Sequence, residues 1–223
     1  MKKIMFNDEC GLTQAVLDGR KTMTRRVCKY DRPNETYDIV FPVFEPNDYD
    51  NDGNIVSPLN YAFGWKNDKG YFTGWNIPKY KVGEAVAVAQ CYKSLGMNPE
   101  IALDDKDGIG FYTKTKFAPG WKNKMFVRAD LMPHHIRITD IKIERLQDIS
   151  DEDCLKEGIG KYFIGFDSLH ADYMGFTYSF DESGKYKYPN AKQAFAALID
   201  KVSGKGAWES DPYVFVYEFE LVD

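Results

Sequence analysis

Lys21 and Thr24 stand three residues apart in the stretch Leu17-Asp-Gly-Arg-Lys-Thr-Met-Thr-Arg-Arg26. A neutral amine can accept the proton of a hydroxyl while the oxygen attacks an acyl carbon, so a lysine held beside a threonine makes a base and a nucleophile. The spacing brings both side chains to one side if the turn continues as a helix, and it also occurs often by chance. The acid that would complete the set is Glu157, which Ser150-Asp-Glu-Asp-Cys-Leu-Lys-Glu-Gly158 places at the end of a short helix. There the macrodipole disfavours a negative charge. A glutamate that holds its proton can deliver it to a departing amine, as amide hydrolysis requires; a solvated last turn is the alternative.

Arg20, Thr22, Arg25 and Arg26 surround the lysine and threonine and are candidates for holding a substrate's phosphate or carbonyl. From Arg20 to Lys29 the run contains no acid, in a chain of formal net charge -5. Cations after a helix-ending Gly19 complement the macrodipole, which accounts for Arg20 and Lys21 but not for Arg25 and Arg26. The acidic balance argues against non-specific coating of a duplex, so any nucleic-acid contact must use this local basic surface.

Other chemistries find little support. His134 and His135 are neighbours on a strand and point to opposite faces, and His170 is isolated, which disfavours a zinc hydrolase or a histidine-based nuclease. No glycine-rich phosphate loop or G-x-S-x-G elbow is present. Asp48-Tyr-Asp-Asn-Asp-Gly-Asn54 matches the first half of a calcium loop, but the twelfth position is Leu59 and Pro58 precedes it, so a solvated turn is expected. No metal and no cofactor are called for. Cys10, Cys28, Cys91 and Cys154 are scattered, as befits a reducing cytosol. No secretory leader or apolar stretch of about 20 residues appears, so a cytoplasmic protein without a membrane span is expected.

The elements that must position these groups follow from periodicity. A short strand at 3–6 precedes a helix with Leu12, Ala15 and Val16 on one face, Thr13 as its cap and Gly19 as its stop. Residues 28 to 80 form an aromatic, turn-rich insertion of loops and short hairpins. A buried strand follows the Gly83-Glu84 turn over 82–91, and another runs from Ile136 to Ile143 with one buried face and a bulge at Asp140. Ser150 caps the helix that ends at Glu157. A second aromatic insertion at 160 to 188 suits a satellite core, a partner surface or, less readily, stacking on bases. Asn190 caps a helix carrying Ala194, Phe195, Ala197, Leu198 and Val202, and alternation from Tyr213 to Leu221 marks a final strand with one continuous face. The order predicts one α+β domain built on a small, mostly antiparallel barrel.

The Leu17–Arg26 stretch, Val82-Gly-Glu-Ala-Val86, Glu144-Arg-Leu-Gln-Asp-Ile-Ser-Asp-Glu-Asp-Cys-Leu-Lys-Glu-Gly158 and Tyr213-Val-Phe-Val-Tyr-Glu-Phe219 resemble, in order, the ASCH domain in its larger phage-type form. The resemblance covers about half the chain. It implies a PUA-like β-barrel with helices over a cleft, spanning 1–223 as a single domain, and a host cytoplasm if the chain is phage-encoded. The small bacterial members include N(4)-acetylcytidine amidohydrolases, which release cytidine and acetate. Their roles carry onto Lys21 as proton acceptor, Thr24 as nucleophile and Glu157 as proton donor, with Arg26 a cleft residue. Larger members commonly continue the Gly-Asp strand into Trp-Val-Arg/Lys-Glu, where this chain has Ala87-Val88-Ala89-Gln90. The family also implies two rival functions: a noncatalytic RNA-binding module and an RNA-cleaving protein. A nucleoside or RNA is thus the expected partner.

Overall fold

The computed structural model describes residues 1–43, 61–97, 119–167, 170–181 and 186–222, with backbone alone at 166, 167 and 170–174. In chain order the elements are strand β1 (Lys3–Ile4), helix α1 (Leu12–Leu17), strands β2 (Met23–Val27), β3 (Tyr37–Val40), β4 (Gly64–Asn67), β5 (Ala85–Val88) and β6 (His135–Arg145), helix α2 (Asp151–Lys156), strands β7 (Gly160–Asp167) and β8 (His170–Ser179), helix α3 (Ala191–Ser203) and strand β9 (Tyr213–Leu221). The fold is α+β with mostly antiparallel sheets. The Asp48–Asn54 stretch, expected as a solvated turn, lies outside the described residues.

Five strands form one sheet in the order β1-β5-β6-β9-β2, antiparallel throughout except for the parallel β1–β5 pair. Strand β6 buries Ile136, Ile138 and Ile141 and exposes Arg137 and Asp140. Its register slips between Ile138 and Asp140, the bulge its broken alternation predicts. Strand β9 departs from its expected single face. Phe215, Tyr217 and Phe219 are buried, and so are Val214 and Val216, because β9 lies inside the sheet with packing on both sides.

The sheet curls but does not close. Flat strands lie about 4.8 Å apart, so β1 and β9, three steps from each other, would be separated by roughly 14 Å. Yet Phe6, just past β1, meets Phe219 of β9 with ring centroids 5.8 Å apart. Arg26 of β2 reaches the Met5 carbonyl with Nη2 at 2.7 Å. One side chain bridges the two edges, and no backbone ladder joins them among the described residues. Where a small barrel was expected, the five strands form a mostly antiparallel, curled sheet that is not closed among the described residues.

Two expectations near the N-terminus are corrected. The N-cap of α1 is Gly11, at φ 67, while Thr13 sits inside the first turn with its hydroxyl engaged by Asp8. Gly19, at φ 70, does stop the helix, where a left-handed residue suits glycine. Beyond it the chain leaves as strand β2 and not as a further helical turn, so the helical juxtaposition of Lys21 and Thr24 does not occur. Residues Met23 to Val27 pair instead with Glu218 to Val214.

The aromatic segments are more integral than insertions. Strands β3 and β4 form a hairpin, and Phe63 and Trp65 enter the main core, edge-on to Phe215 at 5.6 Å and to Tyr213 at 4.7 Å. Strands β7 and β8 form a second ribbon, after which Phe180 stacks on Tyr186 at 5.0 Å. Among the described residues no helix is long and apolar enough to cross a membrane.

Candidate active site

Two helix ends create the site. After Gly19 the Lys21 N–H returns to the Ala15 carbonyl of α1 at 2.8 Å, and the Thr22 N–H donates to Lys156 O at the end of α2 at 2.9 Å. Helix α2 is started by Ser150, whose Oγ accepts from the Asp153 N–H at 3.0 Å, and finished by Glu157 as its C-cap. Gly158 then turns at φ 99, close enough to α1 that a Cβ would sit 3.5 Å from Lys21 Cβ and 3.6 Å from Ala15 Cβ. The backbone thus carries Lys21 and Glu157, 136 residues apart, into contact.

Lys21 Nζ donates to Glu157 Oε2 at 2.6 Å and to the Glu157 carbonyl at 2.7 Å. The ammonium therefore both caps a helix C-terminus and answers the carboxylate that the macrodipole disfavours there. The two side chains are only 2% and 5% exposed. Burial pulls the Lys21 ammonium below the ordinary lysine value; Glu157 opposes that shift, while Arg26 and Arg25 add to it.

The other Glu157 oxygen belongs to Arg25, whose Nη1 donates to Oε1 at 3.0 Å. Arg25 also forks onto Glu144 Oε1 through Nε at 2.9 Å and Nη2 at 2.6 Å, and Nη2 reaches Asp153 Oδ2 at 3.2 Å. Burial works against its charge, but Glu157 and Glu144 together outweigh it and hold the guanidinium more firmly protonated than usual. Lys142 adds a second cation to Asp153 at 3.6 Å. Arg25, which also lines the cleft, is thereby engaged by three carboxylates and organises the site.

Thr24 alternates with Arg25 along β2 and is 4% exposed. Its hydroxyl makes no hydrogen bond among the described residues. Lys21, Thr24 and Glu157 line one cleft of about 460 Å³, within the range of small-molecule sites. Met5, Phe6 and Asn7 form one wall, and Phe195, Leu198, Ile199 and Val202 of α3, with Ala207 to Val214 beyond it, form the other. Arg26 lines the same cleft, 5.8 Å over the Phe6 ring, and uses one of its five donors on Met5.

The remaining sequence candidates lie elsewhere. Arg20 pairs with Asp18 at 3.1 Å and borders a shallow groove with Leu155 and Tyr162. Thr22 gives its backbone to the sheet, accepting from the Phe219 N–H at 2.9 Å, and does not line the cleft. Glu144 and Asp153 escaped sequence reasoning as site residues. Their signal was Arg25 itself, a cation in a strand otherwise suited to burial, which demands carboxylates from other elements.

The lysine–glutamate pair has a chemical property of its own. A charged pair and a neutral pair, amine beside carboxylic acid, contain the same number of protons and differ by one transfer along the 2.6 Å hydrogen bond. Burial disfavours the charged pair, while Arg25 donates to its carboxylate and opposes its ammonium. The neutral pair holds both a base and an acid in the same cleft as a threonine hydroxyl.

No family model matches the chain, and no curated protein or solved structure matches it either.

Proposed function

We propose that the cleft hydrolyses the amide of an acylated nucleoside such as N(4)-acetylcytidine, in a protein of the ASCH type. The observation that carries the proposal is the buried Lys21–Glu157 pair lining the same cleft as Thr24. Three groups with complementary proton roles, drawn from two distant segments, are hard to account for by packing, since an apolar trio would avoid the desolvation of two charges. The curled sheet and the Arg26 bridge between its edges support a PUA-like arrangement.

Lys21, as the amine, takes the Thr24 hydroxyl proton as Oγ1 bonds to the acetyl carbonyl carbon. The tetrahedral intermediate collapses with cleavage of the C–N bond, and the Glu157 proton passes to the departing N4 amine, releasing cytidine. Acetyl-Thr24 then yields to water: the carboxylate takes one water proton, hydroxide adds to the ester carbon, and Thr24 leaves with the proton held by Lys21. Acetic acid is released and gives its proton to solvent to become acetate, and the pair again holds one proton. Phe6 and Phe195, which both line the cleft, offer apolar surface to a base and keep water from the ester.

Incubating the purified protein with N(4)-acetylcytidine tests the proposal, with cytidine and acetate as the readout. Wild type turns over, Thr24→Ala loses at least about a thousandfold in kcat, and Thr24→Ser, which keeps the hydroxyl, retains part of the rate. Absence of turnover by wild type, with salt-dependent RNA affinity in its place, would sink hydrolysis in favour of an RNA-binding module; shortening of RNA would point to cleavage. Commitment of Arg25 to carboxylates weighs against the phosphate-gripping alternative.

A further inference from the structure

A second hollow of about 310 Å³ adjoins the cleft, and the two share Met5, Arg26 and Val27 as their common wall. We infer that this hollow is a phosphate subsite, so that the substrate is an acylated nucleoside monophosphate rather than the free nucleoside. The inference rests on the amidohydrolase reading of the cleft and extends it to the part of the substrate far from the amide.

Three cations border the hollow, Arg26, Lys29 and Lys79, and no aspartate or glutamate lines it. In a chain of net charge -5 that local imbalance is a field awaiting an anion. None of the three makes an ion pair with a carboxylate among the described residues. Of the acids nearby, Glu84, which bears on Tyr80, is itself held by Lys2 at 3.1 Å, and Asp31, which bears on Cys28, does not line the hollow.

The positions are built, not incidental. Lys79 is fixed by its backbone, whose N–H donates to the Tyr217 hydroxyl at 2.9 Å, while its ammonium rests 5.3 Å from the Tyr80 ring. Lys29 rests 4.7 Å from the Tyr30 ring. A cation over a ring near solvent is weakly held, so both ammoniums can turn to a phosphate for a stronger, charge-assisted bond. Arg26 keeps four N–H donors after Met5 and stands where the two hollows meet, able to contact phosphate on one side and the cleft on the other. Three cations suit a monoester, which carries close to two negative charges at neutral pH, better than a diester with one.

Calorimetric titration of the wild-type protein with cytidine and with cytidine 5′-monophosphate, at 50 and 200 mM salt, tests the subsite without turnover. The monophosphate is expected to bind about tenfold tighter at the lower salt, an advantage that shrinks at the higher. In Lys29→Ala/Lys79→Ala the advantage falls to about twofold while cytidine affinity stays as in wild type. Equal affinity for the two ligands, or an advantage that survives the double substitution, overturns the subsite and leaves the cleft reading intact. If neither ligand binds, the nucleoside reading of the cleft fails and the subsite with it. A short oligocytidylate that binds tighter than the monophosphate overturns the monoester in favour of RNA.

Discussion

At the residue scale, Lys21 and Arg25 are both buried cations touching Glu157, yet they differ in what their removal leaves behind. Lys21 suffers its own desolvation, and without it Glu157 keeps Arg25 at 3.0 Å. Arg25 answers Glu144, Asp153 and Glu157 together, and its loss strips Glu144 of its ion-pair partner and leaves Asp153 to Lys142 and Lys156 and Glu157 to Lys21. Breaking a buried charge cluster costs about 3–5 kcal/mol, whereas removing a charge that burial penalises returns part of its cost. Arg25→Met is therefore expected to destabilise the protein by about that amount, and Lys21→Met by about 1–2 kcal/mol while abolishing hydrolysis. Urea unfolding of both variants checks the order; equal losses would mean that Arg25 is no more of an organiser than Lys21. Lys21 and Thr24 were singled out in the sequence by type and spacing, and both line the cleft. Arg25 was legible only as one more cation, because its role depends on acids 119 to 132 residues away.

At the scale of elements, cap chemistry was the most readable signal. Ser150 and Asn190 accept from the backbone N–H groups of Asp153 and Gln193, as their positions before acidic and apolar runs predict, and Gly19, Gly158 and Gly204 end the three helices with positive φ. The bulge of β6 was equally plain. What stayed hidden was nonlocal: nothing after Gly19 marks β2 as a strand until β9 supplies its ladder, and the parallel pairing of β1 with β5 has no local trace. The α3 wall of the cleft was hidden for the same reason, since Phe195 and Leu198 look only like core. Helix α2 has six residues, too few to stand without its cap and its packing. Ser150→Ala removes the bond to Asp153 and should cost about 1 kcal/mol. Because Asp153 and Glu157 both ride on α2, kcat/KM should fall several-fold even at temperatures where the variant is fully folded. Unchanged kcat/KM alongside the stability loss would show that the cap holds the helix without aligning the acid.

Across the whole molecule, the curled sheet encloses groups whose protons link folding to pH. Burial pushes the Cys28 and Cys154 thiols up from 9.0 to about 12, and raises the Tyr217 hydroxyl from 10.0 to about 12, with smaller opposing contributions from Arg25 at Cys154 and from Lys79 at Tyr217. A raised value means that the folded chain keeps its proton where the unfolded chain has lost it. The resulting stability is fully present below pH 9.0 and declines through the window from 9.0 to about 12. Lys21 has the opposite sign: its lowered value makes the unfolded state bind more protons, so its contribution rises with pH as the unfolded lysine approaches 10.5. Each thiol should remove about 2 kcal/mol between pH 9 and 11, and two thiols with a tyrosine outweigh one lysine. The unfolding free energy should therefore drop steeply over that interval. Core truncation alters the baseline of Cys28→Ala/Cys154→Ala at pH 7, so the slope is the informative quantity: it should flatten by more than half in urea unfolding measured at several pH values. A double variant that loses stability with pH as steeply as wild type would place the alkaline weakness elsewhere than in the thiols packed around β9 and α2.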